Sequence, residues 1–309
     1  MISLLSALRS LLGGKSRNGS VAVGAAPVSG AEHLIKSLFI MAALVEARDP
    51  YTGGHLWRVS QFSRILAEDL GLAPREVARI ALGGFLHDLG KIGVADSILN
   101  KPGKLTNEEY EVIKTHPNVG ARLLADHPLA EMVREAVLMH HETPDGRGYP
   151  QSLTGEAIPL VARIVGLADA FDAMTSTRPY RRGMPKARAE EIIRENLDRQ
   201  FDAAVGDRFL ALSSKGTLDH IIGHSEPGIP IQECPMCGPT IVLRRGHRTG
   251  TLVYCRHCGG EAEVRNETGT ITLVSTGRHG GARELEPDIE MLLIRELVSE
   301  AHRHLTAVA

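Results

Sequence analysis

"MHHETPDGRGYP", residues 139–150, poses a geometric question whose answer decides how this chain folds. Two adjacent histidines, His140 and His141, close an apolar helical run and are followed at once by a turn. Neighbours on a helix point about 100° apart, because one turn holds 3.6 residues. They serve one surface together only if His141 sits where the helix unwinds. A metal can use both under that condition, two metals close together can, and so can plain packing. The stretch alone does not choose.

Outward from it the texture is helical. Upstream lie "AEHLIKSLFIMAALVEARD", "GHLWRVSQFSRILAEDLGL" and "PREVARIALGGFLHDLGKI", each with apolar residues three and four apart. "TNEEYEVIKT" opens with Thr106 and Glu109 as a capping box, and "PNVGARLLAD" begins on Pro117, suited to a first turn. Downstream come "PLVARIVGLADAFDAMTS", "PKARAEEIIRENLDRQF" and "VGDRFLALSS". No strand alternation is visible before residue 215, so residues 31–214 read as one all-α domain. Residues 1–30 read as a short amphipathic segment (Ile2, Leu4, Leu5, Leu8, Leu11, Leu12) and a Gly/Ser-rich linker. That segment lacks the features of a signal peptide. Membrane or partner contact is a weaker reading for it than packing or disorder.

Of 309 residues, 43% are apolar and 23% charged, with a formal charge of −2, which gives no case for bulk nucleic-acid binding. Aromatics are only 4%, so the core is expected to be aliphatic. No apolar run approaches the roughly 20 residues that cross a bilayer, and the cytoplasm is the expected compartment.

"FLHDLGKIG" places His87 and Asp88 side by side in an apolar helix. A buried carboxylate without a partner is costly, so packing alone explains the pair poorly. With His55 and Asp169 they form a set of N/O ligands of the kind a divalent transition metal takes.

"HDLGK", "HHETPDGRGYP" and "KPGKLT" together resemble the HD-GYP class of the HD phosphohydrolases, and the likeness runs from Ala47 to Leu212. The resemblance implies an all-α HD-type domain that hydrolyses cyclic di-GMP to linear pGpG, and often on to GMP, with two divalent ions, iron or manganese. The first ion would take His55, His87, Asp88 and Asp169; the second would take Asp88, His116, His140 and His141. Asp88 would bridge. Lys91 resembles the lysine that meets a phosphate oxygen, Arg178 and Arg181 match phosphate-contacting positions, and Gly148, Tyr149 and Pro150 form the signature loop at the site rim. Some members hold a third ion with an acidic residue four positions before the first histidine; here that position is Tyr51, with Asp49 nearby, so two ions are expected. Expected partners are cyclic di-GMP, a protein such as a GGDEF-type cyclase at the loop or the C-terminal module, and a second copy of the chain. Two rival readings stay open: an inactive or weak sensor of cyclic dinucleotides, and a phosphodiesterase for another one.

Beyond a boundary at 215–228, short β-branched runs alternate with Gly turns. "CPMCG" and "CRHCGG" hold all four cysteines, Cys234, Cys237, Cys255 and Cys258, as two C-x-x-C knuckles. That is the pattern of a four-thiolate zinc ribbon, here over residues 229–276, with one structural zinc. The ribbon lies outside the family pattern and could signal to a partner. Every expected catalytic residue precedes residue 182, so it is expected to leave the helical chemistry alone. A last amphipathic helix is expected over 285–305.

Overall fold

The computed structural model describes residues 30–48, 53–101, 103–177, 182–238, 240–267 and 270–306. The amphipathic segment at the start, Asp49, Tyr51, Arg178 and Arg181 lie outside these residues. Ten helices make the main body: α1 (Gly30–Glu46), α2 (His55–Asp69), α3 (Pro74–Leu86), α4 (Asp96–Leu99), α5 (Asn107–Ile113), α6 (His116–Leu124), α7 (Ala130–Met139), α8 (Leu160–Thr175), α9 (Lys186–Glu195) and α10 (Ala203–Ser214). Each long helix buries the stripe its spacing promised. In α1 the buried residues are Ile35, Leu38, Phe39, Ala42, Ala43 and Val45. The core is mostly aliphatic; within it Phe62, Phe171 and Phe209 meet edge to face, and Phe39 and Phe85 form a second edge-to-face pair.

Local signals set the helix ends. Thr106 and Glu109 close the capping box at α5: the Glu109 carboxylate accepts from the Thr106 amide (2.7 Å), and the Thr106 hydroxyl from the Glu109 amide (3.3 Å). One expected helix is shorter than its pattern. "PREVARIALGGFLHDLGKI" ends as α-helix at Leu86, and Leu89–Gly93 is a tight 3₁₀ turn. Gly90 in that turn lies so close to α6 that only a residue without Cβ fits.

The small module follows as three antiparallel pieces: β1 (His224–Glu226) with β2 (Ile229–Pro230), β3 (Gln232–Glu233) with β4 (Thr240–Ile241), and a sheet ordered β5 (Leu252–Tyr254), β6 (Gly260–Glu267), β7 (Thr270–His279). Its own core is Ile241, Leu243, Val253, Ala262 and Val264 with Cys234 and Cys255. Helix α11 (Met291–Leu305) starts later than its pattern, at a Glu290 cap, and returns to the main body. Its buried Leu293, Ile294, Leu297, Val298 and Ala301 join the core of the helical domain. No helix among the described residues is long and apolar enough to cross a membrane.

Candidate metal centre

The paired histidines sit where α7 stops. Met139 is its last residue, and the amide of Glu142 reaches back to the Met139 carbonyl (2.9 Å), a tightened three-residue return. The two rings therefore come together, with centroids 4.1 Å apart. Three sets of ligand atoms converge: His116, His140 and His141; His55, His87 and Asp169; and His87, Asp88 and His140, each set within 4.8 Å. Asp88 stands between the halves. Its Oδ2 is 3.5 Å from His55 Nε2 and 3.4 Å from His87 Nε2, while its Oδ1 is 3.5 Å from His116 Nε2. All seven residues expected as metal ligands meet at one place.

The protonation pattern tests whether they suit a cation. His87 Nδ1 lies 2.7 Å from the Gly84 carbonyl, His116 Nδ1 2.7 Å from that of Ile113, and His140 Nδ1 3.0 Å from that of Ala136. A carbonyl can only accept, so each Nδ1 carries a proton, and each ring turns Nε2 inward, where it is a free lone pair whenever the ring is neutral. His55 does the same through the Asp172 carboxylate (2.7 Å). Two such lone pairs, on His116 and His140, face each other at 3.2 Å. His87 Nε2 is buried without a hydrogen-bond partner among the described residues, although the oxygens of Asp88 and Asp169 stand 3.4 and 3.7 Å away. The facing lone pairs of His116 and His140, both rings held neutral by burial, repel unless a cation stands between them. Outer acceptors that fix the tautomer are the usual support of metal-bound imidazoles. The donor set fits.

Electrostatics divides the centre in two. Burial opposes charge on every ring. It prevails at His116, lowered to about 4, at His141, lowered to about 3, and at His140, held well below its ordinary value. At His55 and His87 burial is outweighed: Asp172 and Asp88 raise the first, and Asp88 and Asp169 lift the second to about 10. Burial works against the Asp88 and Asp169 carboxylates too, yet Lys91 and His87 hold Asp88 well below the usual carboxylate range, and His87 with His55 does the same for Asp169. One half draws positive charge, and the other offers neutral nitrogen donors.

The rim follows from the signature loop. Gly148 has no room for a Cβ, which would come within 2.5 Å of the His141 carbonyl oxygen and of Glu142 Cα. The Tyr149 ring stacks on His141 with centroids 4.7 Å apart, and the Lys114 ammonium lies 5.4 Å from the Tyr149 ring centroid. Lys91 Nζ lies 2.6 Å from Asp88 Oδ2, so it is beside the shared carboxylate.

Three residues in the centre's support escape a reading of the sequence. Asp172 orients His55, and Arg58 holds both Asp172 oxygens, from Nε at 2.5 Å and Nη2 at 3.1 Å. Glu142 is buried, and its two oxygens accept from the amides of Gln151 (2.6 Å) and Leu153 (2.8 Å), pinning the loop. The available signal was spacing: Asp172 follows Asp169 by three, and Arg58 follows His55 by three, so each shares a helix face with a ligand.

The four cysteines also meet. Cys234 Sγ is 3.8 Å from Cys258 Sγ and Cys237 Sγ 3.5 Å from Cys255 Sγ, with no disulfide. Gly238 and Gly259 after the knuckles take φ of +88° and +73°, a left-handed turn natural to glycine. The group could hold a metal.

Comparison with known proteins bears on the helical domain. The family described as HD domain matches residues 40–205. A cyclic di-GMP phosphodiesterase of Vibrio cholerae is 42% identical, over 57% of this chain and 39% of its own length. The cyclic di-GMP phosphodiesterase response regulator RpfG of Xanthomonas campestris is 40% identical, over 63% of this chain and 53% of its own. A 3'3'-cGAMP-specific phosphodiesterase of Vibrio cholerae is 38% identical, over 52% of this chain and 35% of its own. The chain thus spans about half the length, or less, of these curated relatives.

Proposed function

The chain belongs to the HD domain family, and from that premise we propose that its helical domain hydrolyses the phosphodiester of cyclic di-GMP to linear pGpG. One observation carries the reading: four histidines are tied at Nδ1 to outer acceptors, and three of them, His55, His87 and His116, turn Nε2 toward Asp88 while His140 turns its own toward His116. His55, His87, Asp88 and Asp169 would hold one divalent ion, and Asp88, His116, His140 and His141 a second. Mixed imidazole and carboxylate donors favour iron or manganese over a closed zinc site. Such a pair supplies Lewis-acid charge against a phosphodiester and acidifies water held beside it.

The chain's own side chains do the rest. Asp88 presents one oxygen to each half and fixes their separation. Lys91, whose ammonium sits 2.6 Å from Asp88 Oδ2, would meet a phosphate oxygen beside that carboxylate. Arg178 and Arg181 supply the guanidinium forks that suit phosphate. Tyr149, locked against His141, walls the entrance, and Glu142 keeps that wall in place. In the small module, four thiolates suit one structural zinc.

The sensor reading is disfavoured by the full ligand set, which binding alone does not require. A related cyclic dinucleotide as substrate is the second reading, because one relative is named for 3'3'-cGAMP. The deciding experiment is the purified chain loaded with iron(II) or manganese(II) and offered cyclic di-GMP, 3'3'-cGAMP and cyclic di-AMP, with product analysis. Preferential conversion of cyclic di-GMP to pGpG is expected. Two bound ions and no turnover of any substrate would turn the reading to a sensor.

A further inference from the structure

The small module is seated against the back of the metal centre, and one side chain joins them. Arg58 lies one turn after His55 in α2 and is 1% exposed. One edge of its guanidinium grips Asp172, whose Oδ2 accepts from His55 Nδ1. The other edge, Nη1, donates to two backbone carbonyls, Gly53 at 3.0 Å and His224 at 2.8 Å. His224 opens β1 of the small module. From there the connection runs on through short steps: the Ser225 hydroxyl reaches the Leu243 carbonyl at 3.5 Å, and Leu243 packs in the small core with Cys234 and Cys255. Glu226 pairs with Arg245 at 2.6 Å. Gly54, at φ +76°, touches the same strand so closely that a Cβ would lie 2.4 Å from Ser225 Cα. The module is packed there, not merely tethered.

A buried guanidinium presents five N–H donors in a rigid fork, and a buried donor left without an acceptor is costly. Arg58 meets that requirement by borrowing a carbonyl from the small module. If β1 leaves, Nη1 loses its shorter backbone bond, water enters beside Asp172, and the fork that holds Asp172 against His55 is free to turn. We propose that Arg58 is a positioning residue that makes the orientation of His55, and so the affinity of the first metal position, depend on the folded state of the cysteine module. This rests on reading the helical centre as a metal centre. It also departs from the independence expected of a ribbon whose residues all follow position 182. The competing account is that Arg58 only neutralises a buried aspartate and that the His224 carbonyl is incidental.

The test measures manganese(II) affinity of the full-length chain, by the electron-paramagnetic signal of the free ion, so that no turnover is needed. Manganese suits the imidazole and carboxylate centre and not the thiolates. The chains compared are the wild type, Cys255→Ser, Arg58→Met, Arg58→Lys and the double variant Arg58→Met with Cys255→Ser. Loss of an outer partner of a ligand costs about 10–100-fold in metal affinity. Arg58→Met is expected in that range, with partial recovery in Arg58→Lys. Cys255→Ser, its module shown by proteolysis to have opened, is expected to weaken manganese binding by about tenfold, at the lower end of that range. The double variant is expected to bind no more weakly than Arg58→Met, because the link is already cut; interacting sites are non-additive in this way. Unchanged manganese affinity in an opened Cys255→Ser chain overturns the proposal, and so do strictly additive effects. Should Arg58→Met not fold, Cys255→Ser and Arg58→Lys decide the matter. A wild-type chain that binds no manganese in the helical centre overturns the metal-centre reading itself, and the coupling falls with it.

Discussion

Gly90→Ala is expected to empty the second metal position while leaving the first largely filled. Gly90 is not among the left-handed glycines, so alanine can adopt its backbone and only the added methyl matters. That methyl would stand 1.8 Å from the His116 carbonyl oxygen and 2.5 Å from the Gly120 amide nitrogen, both backbone atoms of α6. Opening the 1.8 Å contact to a tolerable 3.0 Å requires a shift of about 1.2 Å between the turn that carries Asp88 and the helix that carries His116. Metal–ligand distances are held to about ±0.2 Å, so this displacement is several times what a shared ion tolerates. His55, His87 and Asp169 come from α2, the end of α3 and α8, and do not ride on α6. Overpacking of this kind costs about 1–3 kcal/mol of stability, and a misplacement of about 1 Å costs on the order of 100-fold in rate. Metal analysis per chain, a thermal melt and hydrolysis of cyclic di-GMP on the same sample make the measurement. A folded variant with two ions and unchanged turnover would refute the reasoning, because it would mean that Asp88 and His116 need no fixed separation.

Asp88→Asn, which keeps the shape and removes the shared charge, is expected to abolish hydrolysis and deplete both ions; metal analysis still finding two per chain would sink the bridging assignment. Glu142→Gln leaves one amide carbonyl where two carboxylate oxygens accepted from Gln151 and Leu153. One buried donor is then unpaired at a cost of about 1–3 kcal/mol, and faster hydrogen exchange across residues 143–153 with metal content unchanged is the expected result. Arg178→Ala and Arg181→Ala are each expected to weaken cyclic di-GMP binding by about tenfold to over a hundredfold, the worth of a lost charge-assisted contact, at full metal occupancy; unchanged affinity and turnover would return that arginine to the solvated surface.

The order of helices and the cysteine knuckles were legible because each rests on a local signal or a restricted residue type. His55, His87, Asp88 and Asp169 stood out as polar groups in helical, apolar surroundings, whereas His116 and the joint use of His140 and His141 were implied by the family resemblance alone. What stayed hidden is non-local. "GEAEVRNE" reads as a polar stretch, yet it is β6, the central strand of its sheet, because pairing with β5 and β7 outweighs its charges. The last helix was expected to be amphipathic, but which surface its apolar face covers was not legible; it completes the core of the main body. Arg58, Asp172 and Glu142 looked like ordinary charged helix and loop positions. Their burial depends on what packs over them, which no window of sequence reports.

The holders of the ligands expose a further rule. Three of the rings are fixed not by a side chain but by a backbone carbonyl one turn earlier: Gly84 for His87, Ile113 for His116, Ala136 for His140. A carbonyl has no residue type, so these partners leave no mark in composition or motif. Their position, however, is dictated. A helix ends with carbonyls that have no intrahelical donor, and α3, α5 and α7 end at Leu86, Ile113 and Met139, one to three residues before those histidines. A histidine placed just past such an end can give its Nδ1–H to the last turn, which fixes the tautomer and turns Nε2 outward. Three helices that stop around one space thereby make three aligned donors with no other polar side chain spent on orienting them. His55 differs: like His116 it begins its helix, but His116 leans on the Ile113 carbonyl at the end of the helix just before it, whereas the Nδ1 of His55 meets the Asp172 carboxylate. That carboxylate is in turn held by Arg58. The ligand oriented by a side chain is thus the one tied to the small module.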